Sequence, residues 1–135
     1  MSKYLYAYFA TAAVMIVIDL IWLGLIAKPL YVQGMGHLMA EEPNLVAGAL
    51  FYLMFPIGLV VFAIAPYEAK AGLRDALLAG GMFGFFAYAT YDLTNLATLK
   101  NWPLGVALMD MAWGTLVSAG AAAAGKATLD WMAVP

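Results

Sequence analysis

Three aspartates, Asp19, Asp92 and Asp110, each stand inside a long apolar segment. The nearest markers of a membrane-water boundary are Lys28, Lys100 and Trp102, which lie nine, eight and eight residues from them. At ~1.5 Å per helical residue each carboxylate is buried roughly 12–13 Å. A bilayer's hydrocarbon core has a half-thickness of about 15 Å, so the three share one depth, close to the midplane but on one side of it. A charged aspartate at the centre of a spanning helix costs roughly 2.5–3.5 kcal/mol, and residues kept there usually mark a site. No Lys or Arg lies within the apolar segments to neutralise them. They should therefore face inward, where a shared proton or a bound cation removes their mutual repulsion. Oxygen donors from Asp19, Asp92, Asp110 and Asn95 would suit a hard cation such as Na⁺, Mg²⁺, Ca²⁺ or Mn²⁺, and a metal held by the three carboxylates is the resulting expectation. Such a cation is the only cofactor the residues suggest. The competing expectation is that the acids are protonated and serve as interhelical glue through Asn, Thr, Trp and Tyr partners.

Helical phase tests whether these groups can meet. In the first segment Tyr4, Tyr8, Thr11, Met15, Asp19, Trp22 and Ile26 recur at steps of three and four, a stripe expected to point inward throughout. In the third, Gly81, Gly84, Tyr88, Asp92 and Asn95 form a comparable stripe, flanked by Thr90, Thr94 and Thr98. In the fourth, Asp110, Trp113, Gly114 and Ser118 occupy adjoining rows. Each aspartate is followed three residues later by Trp22, Asn95 or Trp113, a donor one helical turn away that suits a buried acid. Trp22, Tyr88, Tyr91, Thr94, Thr98 and Trp113 are accordingly expected to support the site. Asp92 has the densest polar surroundings and should be the dominant titrating group. Tyr4, Tyr6, Tyr31, Tyr67, Trp102 and Trp131 lie near segment ends and read as interfacial anchors. His37 and Glu41-Glu42 read as solvated or interfacial loop residues.

The elements that must position these residues can be read from composition. A chain of 135 residues that is 66% hydrophobic and 10% charged has too little polar surface to cover a soluble globule. The expected fold class is all-α, an integral membrane four-helix bundle in one domain, residues 1–135. Its spans are 4–27, 45–65, 76–98 and 104–125, each near the ~20 residues a crossing needs. The first run is too long, and too interrupted by Asp19, for a cleaved signal. Pro56 should kink the second span. Only Leu99–Pro103 join the third and fourth spans, which makes them a tight antiparallel pair. Gly80 and Gly84 offer a small-residue face to another helix of this chain or to a second protomer, and a homodimer would enclose a larger pathway. Lys3, Lys70, Arg74 and Lys126 fall on one side and Lys28 and Lys100 on the other, which puts both termini in the cytoplasm of a cell with the protein in its inner membrane. The 28–44 connection then caps the outer side. A net charge of −2 leaves no basic patch for nucleic acid, and the absence of cysteine removes thiolate chemistry.

The chain resembles a family of small bacterial four-span membrane proteins catalogued as a domain of unknown function. The resemblance rests on the acid-plus-Trp pattern of the first helix, on Tyr91-Asp92-Leu93-Thr94-Asn95-Leu96-Ala97-Thr98 and on Asp110-Met111-Ala112-Trp113-Gly114-Thr115. It covers nearly the whole length and implies architecture but no catalytic roles. In length and span count the chain is also similar to small multidrug transporters, which carry a membrane glutamate in the first helix where this chain has Asp19. The residues favour proton- or cation-coupled transport or sensing of a small solute. The alternatives are a membrane enzyme acting on a lipid or isoprenoid-like substrate, with Asp92 and Asp110 as acid-base groups, and a non-catalytic assembly subunit.

Overall fold

The structure is a computed structural model and describes residues 2–134, so residues 1 and 135 of the expected domain lie outside it. Five α-helices succeed one another: α1 Ser2–Ile21, α2 Lys28–Met35, α3 Leu45–Leu59, α4 Arg74–Thr98 and α5 Leu104–Ala133. No strand occurs among the described residues. A π turn, Trp22–Ile26, extends α1, and α3 continues through a π turn, Val60–Ile64, into a 3₁₀ turn, Ala65–Tyr67. Three of these runs are long and apolar enough to cross a membrane: Ser2–Ile26, Leu45–Tyr67 and Leu104–Ala133. Helix α4 has the length, 25 residues, but Asp92, Asn95 and its glycines and threonines dilute its hydropathy.

The 28–44 connection, expected to cap the outer side, contains a helix of its own, which makes five α-helices among the described residues. The last helix runs eight residues past Gly125 because Lys126 does not end it. That lysine is fully buried, and its Nζ donates to the Lys70 carbonyl at 2.8 Å and to Asp130 Oδ1 at 2.5 Å, one helical turn on. The charge is satisfied without leaving the helix. At the same end Lys3 and Tyr4 both donate to the Glu68 carboxylate, with Lys3 the larger influence, and together they hold that carboxyl below the usual range.

Local chemistry places the ends. Asn44 caps α3 by accepting from the Ala47 amide at 3.1 Å. Asn101 takes a left-handed φ of 61° in the turn between α4 and α5, a conformation asparagine tolerates better than most residues. Pro103 then opens α5 without sacrificing a needed amide.

Helix α5 is the spine against which α4 and α1 pack, with α3 closing the bundle through its π turn. The approach of α4 to α5 depends on absent side chains. A Cβ on Gly80 would stand 2.5 Å from the Ala122 Cβ, and one on Gly84 would collide with the Gly114 carbonyl and Ser118. The partner of the Gly80–Gly84 face is therefore α5 of the same chain. The alanine-rich run toward Gly125 also serves as a packing face, burying Ser118, Ala121, Ala122 and Gly125. Small residues, Met15, Leu59, Ile64 and Val117 form the core, while large apolar side chains such as Phe9, Leu25, Met54, Phe62 and Leu116 stay exposed. That distribution suits a lipid surround, where burying aliphatic bulk brings little gain and close backbone packing carries the association.

Candidate functional site

The inward stripe of α1 buries Ala7, Thr11, Met15 and Asp19 and then breaks. The π turn at Trp22 adds a residue to the helical turn and rotates the residues after it, so Ile26 is 59% exposed instead of facing inward. Asp19 ends up 3% exposed with both oxygens served. Trp113 Nε1 donates to Oδ1 and the Tyr52 hydroxyl to Oδ2, each at 2.7 Å. The Trp113 indole lies flat against Trp22, centroids 4.4 Å apart and planes 8° apart.

Asp110, on α5, accepts from the Tyr31 hydroxyl at 2.7 Å. Tyr31 comes from α2, which is seated on α5 where Gly34 meets Val106 and Pro103. Asp92, on α4, is 1% exposed and lines the same cavity as Asp110, and its Oδ2 makes no hydrogen bond of ordinary geometry. The buried indole N–H of Trp102 lies near the Asp92 carboxyl and that of Trp22 near the Tyr31 hydroxyl, neither closing a hydrogen bond of ordinary geometry.

Asp92 and Asp110 share a cavity of about 520 Å³ with Lys28, Tyr31, Tyr91 and Trp102, walled by Leu20, Leu23, Met35, Met39 and Val106. Asp110 and Tyr91 also border a second cavity of about 350 Å³ lined by Phe51, Phe55, Ala87 and Tyr88. The polar groups thus fall into two linked pairs of contacts, Tyr52 and Trp113 on Asp19 and Tyr31 on Asp110, with the stacked indoles beside them. Two carboxyls lining one cavity repel each other when both are charged, and a proton or a cationic group between them removes the repulsion.

The structure sorts the expected site residues by position. Asp92, Asp110 and Tyr91 meet at the larger cavity. Asp19, Trp22 and Trp113 form the adjoining network, and the Tyr88 ring covers Gly114 between the two. Asn95 is half-buried but does not line the cavity. Thr94 and Thr98 are exposed, and each returns its hydroxyl to a carbonyl of its own helix, as threonines in helices commonly do. Among the described residues no group of three or more His, Cys, Asp or Glu side chains is placed to hold a metal ion. Asp19 directs its two oxygens to Tyr52 and Trp113, while Asp92 and Asp110 line the cavity.

Four groups at the site stand outside the expected set: Tyr52, Tyr31, Lys28 and Trp102. Tyr52 carried a signal, being the only polar side chain in Leu45–Ala65 and eight residues from Asn44, the same depth as the aspartates. Tyr31 carried none, because its reach depends on how α2 folds back over α5. A family model described as Predicted membrane protein (DUF2177) matches residues 4–127. No curated protein and no solved structure matches the chain.

Proposed function

The chain belongs to the DUF2177 family of predicted membrane proteins, and from that premise we propose a four-span protein that binds the cationic group of a small solute between Asp92 and Asp110, in competition with a proton, for transport or sensing. In this reading α4 crosses the membrane with the three more apolar runs, its polar face covered by α5. Both termini are cytoplasmic, and the cavity lies in the outer half of the inner membrane.

One observation carries the reading: Asp92, almost fully buried and without an ion-pair partner, lines a cavity of about 520 Å³ beside a second acid, Asp110. A protonated amine supplies both the positive charge and the hydrogen-bond donors that the pair lacks. Tyr31, Tyr91 and Trp102 add aromatic surface, which attracts cations through ring quadrupoles. Because the ligand and the proton occupy the same oxygens, binding strengthens as pH rises.

The test uses the purified protein in dodecyl maltoside with dodecylamine as probe. A ligand that binds only the folded state at about 100 times its Kd adds roughly 2.7 kcal/mol of apparent stability. The wild type should be stabilised, more so at higher pH below the amine's own titration. Asp92→Asn keeps size and hydrogen bonding while removing the charge, so it should fold and lose both the stabilisation and its pH dependence. If Asp92→Asn retains both while Asp92→Leu merely destabilises the protein, the carboxylate is packing glue and the reading falls.

A further inference from the structure

The cavity is not uniformly acidic. Lys28, exposed at the start of α2, lines it together with the two carboxylates and makes no ion pair among the described residues. A site for a simple cation gains nothing from a lysine on its wall, since like charges repel. A ligand with an anionic group beside its ammonium reconciles the two. The apolar wall extends the match. Leu20 and Leu23 line the cavity yet are 65% and 44% exposed on the outer surface of α1 and its π turn, so the cavity opens sideways where an alkyl chain would lie. Helices α1 and α4 both pack on α5, and α2, which contacts α5 and the π turn after α1, contributes Lys28, Tyr31 and Met35 to the cavity wall.

We propose that the ligand of this cavity is a zwitterionic amphiphile of the aminophospholipid type, its ammonium between Asp92 and Asp110, its phosphate on Lys28 and its alkyl chain running out past Leu20 and Leu23. The assignment rests on the cation-binding reading above and adds the anionic group and the chain. An aminophospholipid in the surrounding bilayer reaches the cavity laterally, without crossing water. Charge-assisted hydrogen bonds at both ends of the headgroup set it apart from a lipid that carries only one of the charges. The two acids on the inner wall, Asp92 and Asp110, fix which end points inward.

Equilibrium binding in dodecyl maltoside, read by tryptophan fluorescence and by melting temperature, separates the parts. The probes are lysophosphatidylethanolamine, dodecylamine, dodecyl phosphate and free phosphoethanolamine. Lysophosphatidylethanolamine should bind about tenfold more tightly than dodecylamine, an increment ordinary for one added charge-assisted contact. Lys28→Gln, at an exposed position, should erase that preference and leave dodecylamine binding unchanged or stronger. Asp92→Asn should remove binding of both. Equal binding of the two amphiphiles, or a preference that survives Lys28→Gln, overturns the zwitterion while the cation site stands. Phosphoethanolamine binding as tightly as the lysolipid overturns the amphiphile in favour of an aqueous solute. If neither amphiphilic amine binds the wild type, the cation reading itself fails.

Discussion

Asp19 differs from its two neighbours in being fully provided for. Trp113 and Tyr52 each give it one hydrogen bond at 2.7 Å, and no basic side chain is near. Trp113→Phe preserves an aromatic ring for Trp22 to stack on but leaves Oδ1 buried without a donor, a loss of about 1–3 kcal/mol for an unsatisfied buried group. Thermal unfolding in detergent should show this destabilisation, and Asp19→Asn in the same background should recover part of it because the neutral amide needs less compensation. An unaltered melting temperature for Trp113→Phe would mean that this bond does not hold the helices. At this scale the acids were legible in the sequence because depth can be counted along a helix. Tyr52, absent from the expected set, could have been found by the same count. Thr94 and Thr98 misled because hydroxyls beside an acid look like ligands, whereas a helical threonine readily bonds the carbonyl four residues back. Lys28 and Tyr31 were hidden by their place in a connection whose fold depends on contacts far away in the chain.

The α4–α5 pair is the element on which the acid pair depends, since it carries Asp92 on one member and Asp110 on the other. Gly84→Val would drive a branched side chain into the Gly114 carbonyl and Ser118. Overpacking of that kind costs about 1–3 kcal/mol and here also spreads the two carboxyls apart. Gly120→Ala is the matched control, because an added Cβ there meets nothing within 4 Å and its effect should stay within about 0.5 kcal/mol. A melting series should separate the two variants clearly, and equal behaviour would mean that the glycine face is not a packing face. The small-residue spacing made this face readable in advance, although it left open which helix would fill it. The π turns were not readable. A stripe extrapolated at 3.6 residues per turn carries Ile26 inward, and only the altered winding after Ile21 turns it out. The same applies to α3, where Pro56 was expected to kink the span and a change of winding comes four residues later, at Val60.

At the scale of the whole molecule, basic residues sort to two ends. Lys3 and Tyr4 meet Glu68, and Lys126 reaches the Lys70 carbonyl and Asp130, so one end is tied together by contacts as well as by charge. Lys28 and Lys100 mark the other. Reporter fusions after Val134 should therefore read cytoplasmic, and insertions at Gly36 should read external. The reverse result would move the cavity to the inner half of the membrane. That the chain is helical and membrane-bound was legible from composition alone. The fifth helix was not, because α2 is short, only modestly apolar and held in place by Gly34 against α5.

The depth of the acid pair has an electrical consequence. In the proposed orientation a cation entering from outside crosses about 40% of the hydrocarbon thickness before it meets Asp92. One elementary charge carried through the whole field gains ~2.3 kcal/mol per 100 mV, so this partial passage is worth roughly 1 kcal/mol, about fivefold in affinity, at a potential of 100 mV negative inside. In that reading, occupancy by a ligand that enters from outside with a net positive charge follows membrane voltage as well as concentration and pH, whereas a net-neutral zwitterion entering from the bilayer responds far less.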